Sequence, residues 1–332
     1  MRAVFLVLSC LLVTPAFAAA PDPRDAVLER MATLLEQRYV DEAQGRELAT
    51  MLRSAAHDNR FDAAREPQAW ADAVEAALRA TVADQHLQLS YEPGTDFVPG
   101  TQREQRVARQ DAGGARMVMR TGRLDARSVE QIAKTNFGVD RVEHLDGNVG
   151  YLSLSRFVPA DLSGDTLRAA IAFIAHSDAV VIDLRGNIGG SPDAVAMLAS
   201  PFFAADRGAV ALHAADNRAL GVHDVVSTDP EGAVAALADA RLFVLVGPRT
   251  ALAAEMFAFA LKRLHRATIV GETTSGAGNG GARQSVGEGF ALVVPEWRST
   301  TGSWERVGVA PDVVVPAAQA LERALVLARA GT

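Results

Sequence analysis

Cysteine is nearly missing from this chain of 332 residues, since Cys10 is its single thiol. That thiol sits in a leader, MRAVFLVLSCLLVTPAFAAA, with one basic residue (Arg2), an apolar run too short for a comfortable membrane span, and the small-residue pattern Ala16-Phe17-Ala18. This is the layout of a secretory signal peptide over 1–18, cleaved near Ala18 or Ala19. The residues before Cys10, Val7-Leu8-Ser9, fit a lipid-attachment site poorly. Cleavage leaves a thiol-free protein of roughly 310 residues, enough for one large domain or a core plus a smaller one. A chain without thiols suits an oxidising periplasm or exterior, and it excludes thiol catalysis, disulfides and thiolate metal sites.

Other absences narrow the function further. No later run is long and apolar enough to cross a bilayer. A net charge of −7 lacks the basic face that nucleic acid requires. The seven histidines are scattered, with no H-E-x-x-H and no acidic cluster at ligand spacing, so neither a metal nor another cofactor is expected. The glycine-rich DLRGNIGG has no following Gly-Lys-Ser/Thr and no G-x-G-x-x-G, which excludes a P-loop and a dinucleotide fingerprint. Internal repeats and low-complexity tails are missing too.

What is present falls into two textures. Residues 24–82, within a helical domain expected over 19–90, are rich in Ala, Leu, Glu and Arg at helical spacing. RDAVLERMATLLEQRYV places Val27, Leu28, Met31, Leu34 and Leu35 on one side, and PQAWADAVEAALRATV repeats the pattern, so a small helical bundle is expected. VADQHLQLSYEP then alternates like a strand, with His86 at the junction. Residues 91–135 read as a connecting region with a hairpin or two, including ARMVMR, and contain no PDZ-like segment.

From 136 to 332 strand and helix patterns alternate. GNVGYLSLSRF, DAVVIDLRGNIGG, ARLFVLVGPRT and RATIVG are strands. GDTLRAAIAFIAH, SPDAVAMLASPFF and RTALAAEMFAFALKR are helices, while FALVVPEW and GVAPDVVVP are expected to close the core before a final helix at 316–329. Such alternation predicts an α/β core with a mostly parallel sheet and helical cover. Its glycine turn lies at the carboxyl end of a strand, where α/β sheets place their sites, and offers backbone amides that a ligand can approach closely.

The ordered set DQHLQL, NFGVDRVEHLDGNVGYLSLSRF, VVIDLRGNIGG, RTALAAEMFAFALKRLHRATIVGETTSGAG and WERVGVAPDVVV resembles the S41 family of tail-specific or C-terminal processing serine peptidases. The resemblance extends over nearly all of the chain after the leader. It is nearest to the branch similar to interphotoreceptor retinoid-binding protein and the core of tricorn protease. It implies a ClpP/crotonase-like core behind a helical N-terminal domain, and peptide or protein ligands; the oligomeric state stays open. Family members start a helix with Thr-x-Ser-Ala-Ala-Glu, whose serine is the nucleophile. This chain reads Thr250-Ala251-Leu252-Ala253-Ala254-Glu255, with Leu252 in the nucleophile position.

Carried over position by position, the resemblance makes His86 the general base and Glu305 a member of the charge-handling set. It puts an oxyanion hole at the backbone amides of Gly189 and Ala253. The related branch has a serine before its histidine where this chain has Gln85. The alternative Ser-Lys dyad of processing peptidases is excluded, because the loop TTSGAGNGG holds no lysine. Acyl transfer needs a hydroxyl or thiol, and leucine has neither. Little or no hydrolysis is therefore expected. The alternatives are a pseudo-peptidase that binds peptides or small apolar ligands in the retained groove, and an active peptidase with a displaced hydroxyl. Ser275 is the better candidate for that hydroxyl, ahead of Thr274, while Thr250 should point away. A recent serine-to-leucine change in an intact peptidase would leave the same sequence.

Overall fold

The computed structural model describes residues 22–84, 86–91 and 126–330. The leader with Cys10, the residue Gln85 and the hairpins expected in ARMVMR and its surroundings lie outside the described residues.

Three helices open the described chain: α1 (Pro23–Arg38), α2 (Glu42–His57) and α3 (Pro67–Thr81). The Asp22 side chain caps α1 by accepting from the Arg24 amide at 2.9 Å, with Pro23 in the first turn, where its missing N–H costs nothing. Val27, Leu28, Met31, Ala32 and Leu35 are buried as the helical spacing requires, and Leu34 is half-buried. Trp70, Val74 and Leu78 of α3 face the same core. A short strand, β1 (Gln88–Tyr91), follows directly.

The α/β part runs α4 (Ala126–Lys134), β2 (Val139–Leu145), β3 (Val149–Leu154), α5 (Ala160–Ile174), β4 (Ala179–Asp183) and α6 (Pro192–Ala199). It continues with β5 (Ala211–Asn217), β6 (Val222–Ser227), the single turn α7 (Ala235–Ala238), β7 (Arg241–Val246), α8 (Ala253–Arg263) and β8 (Thr268–Gly271). Then come β9 (Gly281–Gly287), β10 (Phe290–Pro295), β11 (Trp297–Ser299), β12 (Val313–Val314) and α9 (Ala320–Arg329). The central sheet has the order β12-β8-β7-β4-β3-β2. Every pairing in it is parallel except β2 with β3 at one edge. All five residues of β4 are buried, as expected of a strand covered by helices on both faces. On one face α5, α6 and α8 enclose Ile182, Leu198, Val244 and Phe257, and on the other α9 covers Val181 and Leu245.

FALVVPEW does not close this core. Its strand β10 pairs with β1 and β9 in a separate antiparallel sheet. Phe290, Leu292 and Val294 are buried in the same cluster as the N-terminal helices. The strand is apolar on both faces in sequence, which reads like a central strand, but only Phe290, Leu292 and Val294 are sealed by the helical layer, while Ala291 and Val293 stay half-buried. A further small sheet, β11-β5-β6, and the edge strand β2 were not anticipated from the sequence. The final helix starts at Ala320 after a single 3₁₀ turn, Ala317–Gln319. Among the described residues, no helix is long and apolar enough to cross a membrane.

Candidate functional site

Strand β7 ends at Val246, and the chain turns sharply through Gly247-Pro248 before α8. Thr250 is fully buried in this turn: its hydroxyl donates to the Leu184 carbonyl at 2.7 Å and accepts from the Gly247 amide at 3.0 Å. Thr250 thus points into the protein, as the sequence suggested. Leu252 is the residue before the helix, with φ 53° and ψ −118°. A bulky side chain rarely takes a positive φ; holding one there costs about 1–3 kcal/mol and persists only where the surroundings impose it. A strained strand-to-helix turn of this kind lifts a side chain clear of the backbone for attack on a substrate. Leu252 is 38% exposed, unlike the buried leucines around it.

The surroundings that impose the turn come from RGNIGG. Asn187 is fully buried, and its carbonyl accepts from the Ala251 amide at 3.0 Å. Its side-chain amide donates to the Leu154 carbonyl at 3.1 Å, which ties the turn to β3. Gly189 takes φ 97°, and a Cβ there would lie 2.5 Å from the Leu252 Cβ. Only glycine lets these two backbones approach so closely. The Gly189 amide donates to Asn187 Oδ1 at 2.9 Å, so this expected oxyanion donor is committed within the turn. The Ala253 amide opens α8 and makes no hydrogen bond among the described residues, as a first-turn amide with no intrahelical acceptor would.

Glu255, one helical turn on, is buried without solvent exposure and is met by five donors. The Leu252 amide reaches Oε2 at 2.9 Å, and the Gly276 and Ala277 amides reach Oε1 and Oε2 at 2.7 and 2.9 Å. The Thr274 hydroxyl donates at 2.5 Å and the Ser275 hydroxyl at 3.2 Å. Glu255 therefore ties the helix start to the glycine loop 274–279. The candidate hydroxyls Thr274 and Ser275 both bind this carboxylate.

The next two amides of the same loop, Gly278 and Asn279, donate to Glu305 Oε2 at 2.7 and 2.9 Å. The other oxygen, Oε1, lies 3.7 Å from His86 Nδ1. His86 is hydrogen-bonded not to Glu305 but to Asp84: Nδ1 and the backbone amide both reach Asp84 Oδ1, at 2.9 and 2.8 Å. The Tyr39 hydroxyl holds Asp84 Oδ2 at 2.7 Å. His86 is 8% and Asp84 2% exposed, and His86 Nε2 and Glu305 Oε1 are buried with no partner among the described residues. Burial opposes charge on His86, but the Asp84 hydrogen bond and the Glu305, Asp84 and Glu255 carboxylates outweigh it and hold the imidazole above its usual value. Burial pushes the Asp84 carboxyl up, and the hydrogen bonds from His86 and Tyr39 more than reverse this, leaving it below the usual range.

One glycine loop thus brings Leu252, Ala253, Ser275, Glu305 and His86 into a single assembly, with Gly189 packed directly against Leu252. Asp84, Tyr39, Glu255 and Asn187 escaped the sequence reading. Asp84 left a usable signal, an acid two residues before the histidine, and Glu255 another, a glutamate at the third helical position. Tyr39 left none, because only the folded chain brings α1 near the junction after α3.

The sequence model of peptidase family S41 matches residues 148–315, just over half of the chain. The matched range contains Gly189, Leu252, Glu255 and Glu305 but not Tyr39, Asp84 or His86. Carboxyl-terminal-processing peptidase 2, chloroplastic, of Arabidopsis thaliana is 34% identical over 174 residues, covering 51% of this chain and 32% of that protein. Carboxy-terminal processing protease CtpA of Bacillus subtilis is 28% identical over 176 residues, covering 52% of this chain and 36% of that one. The chain spans about a third of the length of these curated relatives. Among solved structures, tricorn protease superposes with a TM-score of 0.52 at 12% identity, over 90% of this chain and 35% of that one, a likeness of fold.

Proposed function

The chain belongs to peptidase family S41, and on that premise we propose an exported member that binds extended peptides or apolar ligands and hydrolyses them little or not at all. The observation that carries this reading is Leu252 on the strained turn beside the unengaged Ala253 amide. The turn has the shape that displays a nucleophile, and the side chain on it has no nucleophilic atom. Losing a nucleophile typically removes on the order of 10⁶ in turnover. The nearby hydroxyls are poor replacements. Thr250 faces inward, and Thr274 and Ser275 donate to Glu255. His86 is held by Asp84, and in this reading it is the base. Export is supported by the composition of residues 1–18, and peptide ligands by the family.

The test is labelling by a fluorophosphonate probe of the wild type, Leu252→Ser and Leu252→Ser/His86→Ala. We expect label on Leu252→Ser alone, with His86→Ala in that background lowering the rate by roughly 10³ or more. A labelled wild type would refute the reading, and mapping the modified residue would identify the substitute hydroxyl.

A further inference from the structure

We propose that Asp84, His86 and Glu305 bind a divalent transition-metal ion of the zinc type through Asp84 Oδ1, His86 Nδ1 and Glu305 Oε1. The three side chains present ligand atoms that all lie within 4.8 Å of one another. From Nδ1 the two oxygens stand at 2.9 and 3.7 Å. Ligands about 2.0–2.1 Å from a tetrahedral ion are about 3.3 Å apart, so the two observed separations bracket the required one. Small rotations of the carboxylates would equalise them.

The outer contacts are those a metal site needs. Each carboxylate is held by its far oxygen: Asp84 Oδ2 by the Tyr39 hydroxyl, Glu305 Oε2 by the Gly278 and Asn279 amides. Each near oxygen is thereby aimed at the imidazole, as second-shell donors aim metal ligands. An independent observation points to a missing partner. Glu305 Oε1 is buried and unpartnered among the described residues, and the imidazole it faces belongs to a histidine more than nine-tenths buried. A buried carboxylate oxygen without a hydrogen-bond donor is unfavourable, and a cation between Oε1 and Nδ1 would satisfy it. The charge balance favours a cation too. Asp84, Glu305 and, behind the loop, Glu255 act on one imidazole, against the Arg306 guanidinium, which acts on Tyr39. One imidazole and two carboxylates suit zinc-type ions, whereas calcium takes an all-oxygen shell. Three protein ligands leave a fourth position for water.

Metal on Nδ1 requires the ring hydrogen on Nε2: a neutral imidazole shifts its hydrogen from Nδ1 to Nε2, and a charged one gives its Nδ1 proton to the buffer. A metal-loaded His86 is then unable to act as a base. This gives the cluster a task that does not depend on a nucleophile, and it stands or falls separately from the proposed peptide binding.

The test is titration of the chelator-treated wild-type protein with zinc by calorimetry in two buffers of different ionisation enthalpy, and with cobalt by visible absorption. We expect one equivalent bound in either buffer and the intense bands of four-coordinate cobalt. Glu305→Gln keeps an oxygen for the loop amides, and it should weaken binding roughly tenfold or more, as should His86→Ala. His223→Ala, which removes the exposed His223–Asp216 pair, should leave binding unchanged. Circular dichroism checks that each variant is folded. No binding up to millimolar cobalt, or binding insensitive to Glu305→Gln and His86→Ala in folded protein, would overturn the proposal.

Discussion

His86 shows how little of a residue's role is carried by its identity. Alone it is a histidine at the end of a helical bundle. Its raised affinity for a proton comes from Asp84 and Glu305 acting against burial. Because the folded His86 value is raised, its stabilising contribution is complete below the unfolded value of 6.5 and is lost as pH rises through the folded one. Because the folded Asp84 value is lowered, its contribution is complete above 3.8 and is lost as pH falls through the folded one. The pair therefore stabilises most between those limits. Asp84→Asn should lower the His86 value, since burial then meets less opposition, and the stability gap to wild type should narrow as the imidazole loses its proton. Imidazole NMR titration with chelator present, paired with urea unfolding across pH, measures both. A His86 value unchanged in Asp84→Asn would assign the control to Glu305 instead.

At the scale of the element, the start of α8 is over-determined. Asn187 holds Ala251, Gly189 makes room for Leu252, and Glu255 collects the Leu252 amide together with the glycine loop. These contacts keep Leu252 at a positive φ although leucine gains nothing by it. Leu252→Gly should relieve the strain of about 1–3 kcal/mol, less about 0.5–1 kcal/mol for the greater freedom of glycine in the unfolded chain. The expected result is a net stabilisation near 1 kcal/mol in urea unfolding. A clear loss of stability would mean that the partly exposed leucine packs more tightly than its 38% exposure indicates.

At the scale of the molecule, the site joins two hydrophobic cores. Tyr39, Asp84 and His86 follow the N-terminal helices, whereas Leu252 and Glu255 stand at the start of α8, whose Ala253, Ala254 and Phe257 belong to the parallel-sheet core. Strand β10 fixes the N-terminal layer around His86, since Leu292 pairs with Leu89, three residues beyond His86, and the Pro295 carbonyl accepts from the Val40 amide at 2.8 Å. Leu292 is fully buried, so Leu292→Ala should cost about 2–5 kcal/mol in chemical unfolding. In the Leu252→Ser background it should also slow probe labelling, although Leu292 belongs to a different core from that turn. Labelling at full rate despite that loss of stability would show that the N-terminal layer does not position His86. The sequence by itself determined the helical layer, the α/β alternation, the glycine turn and the leucine where a hydroxyl is needed, because apolar periodicity and short motifs are local. It misassigned FALVVPEW and passed over Asp84, Tyr39, Glu255 and Asn187. Which face a strand buries, and which carboxylate meets an imidazole, depend on partners distant in the chain, and only tertiary packing decided them.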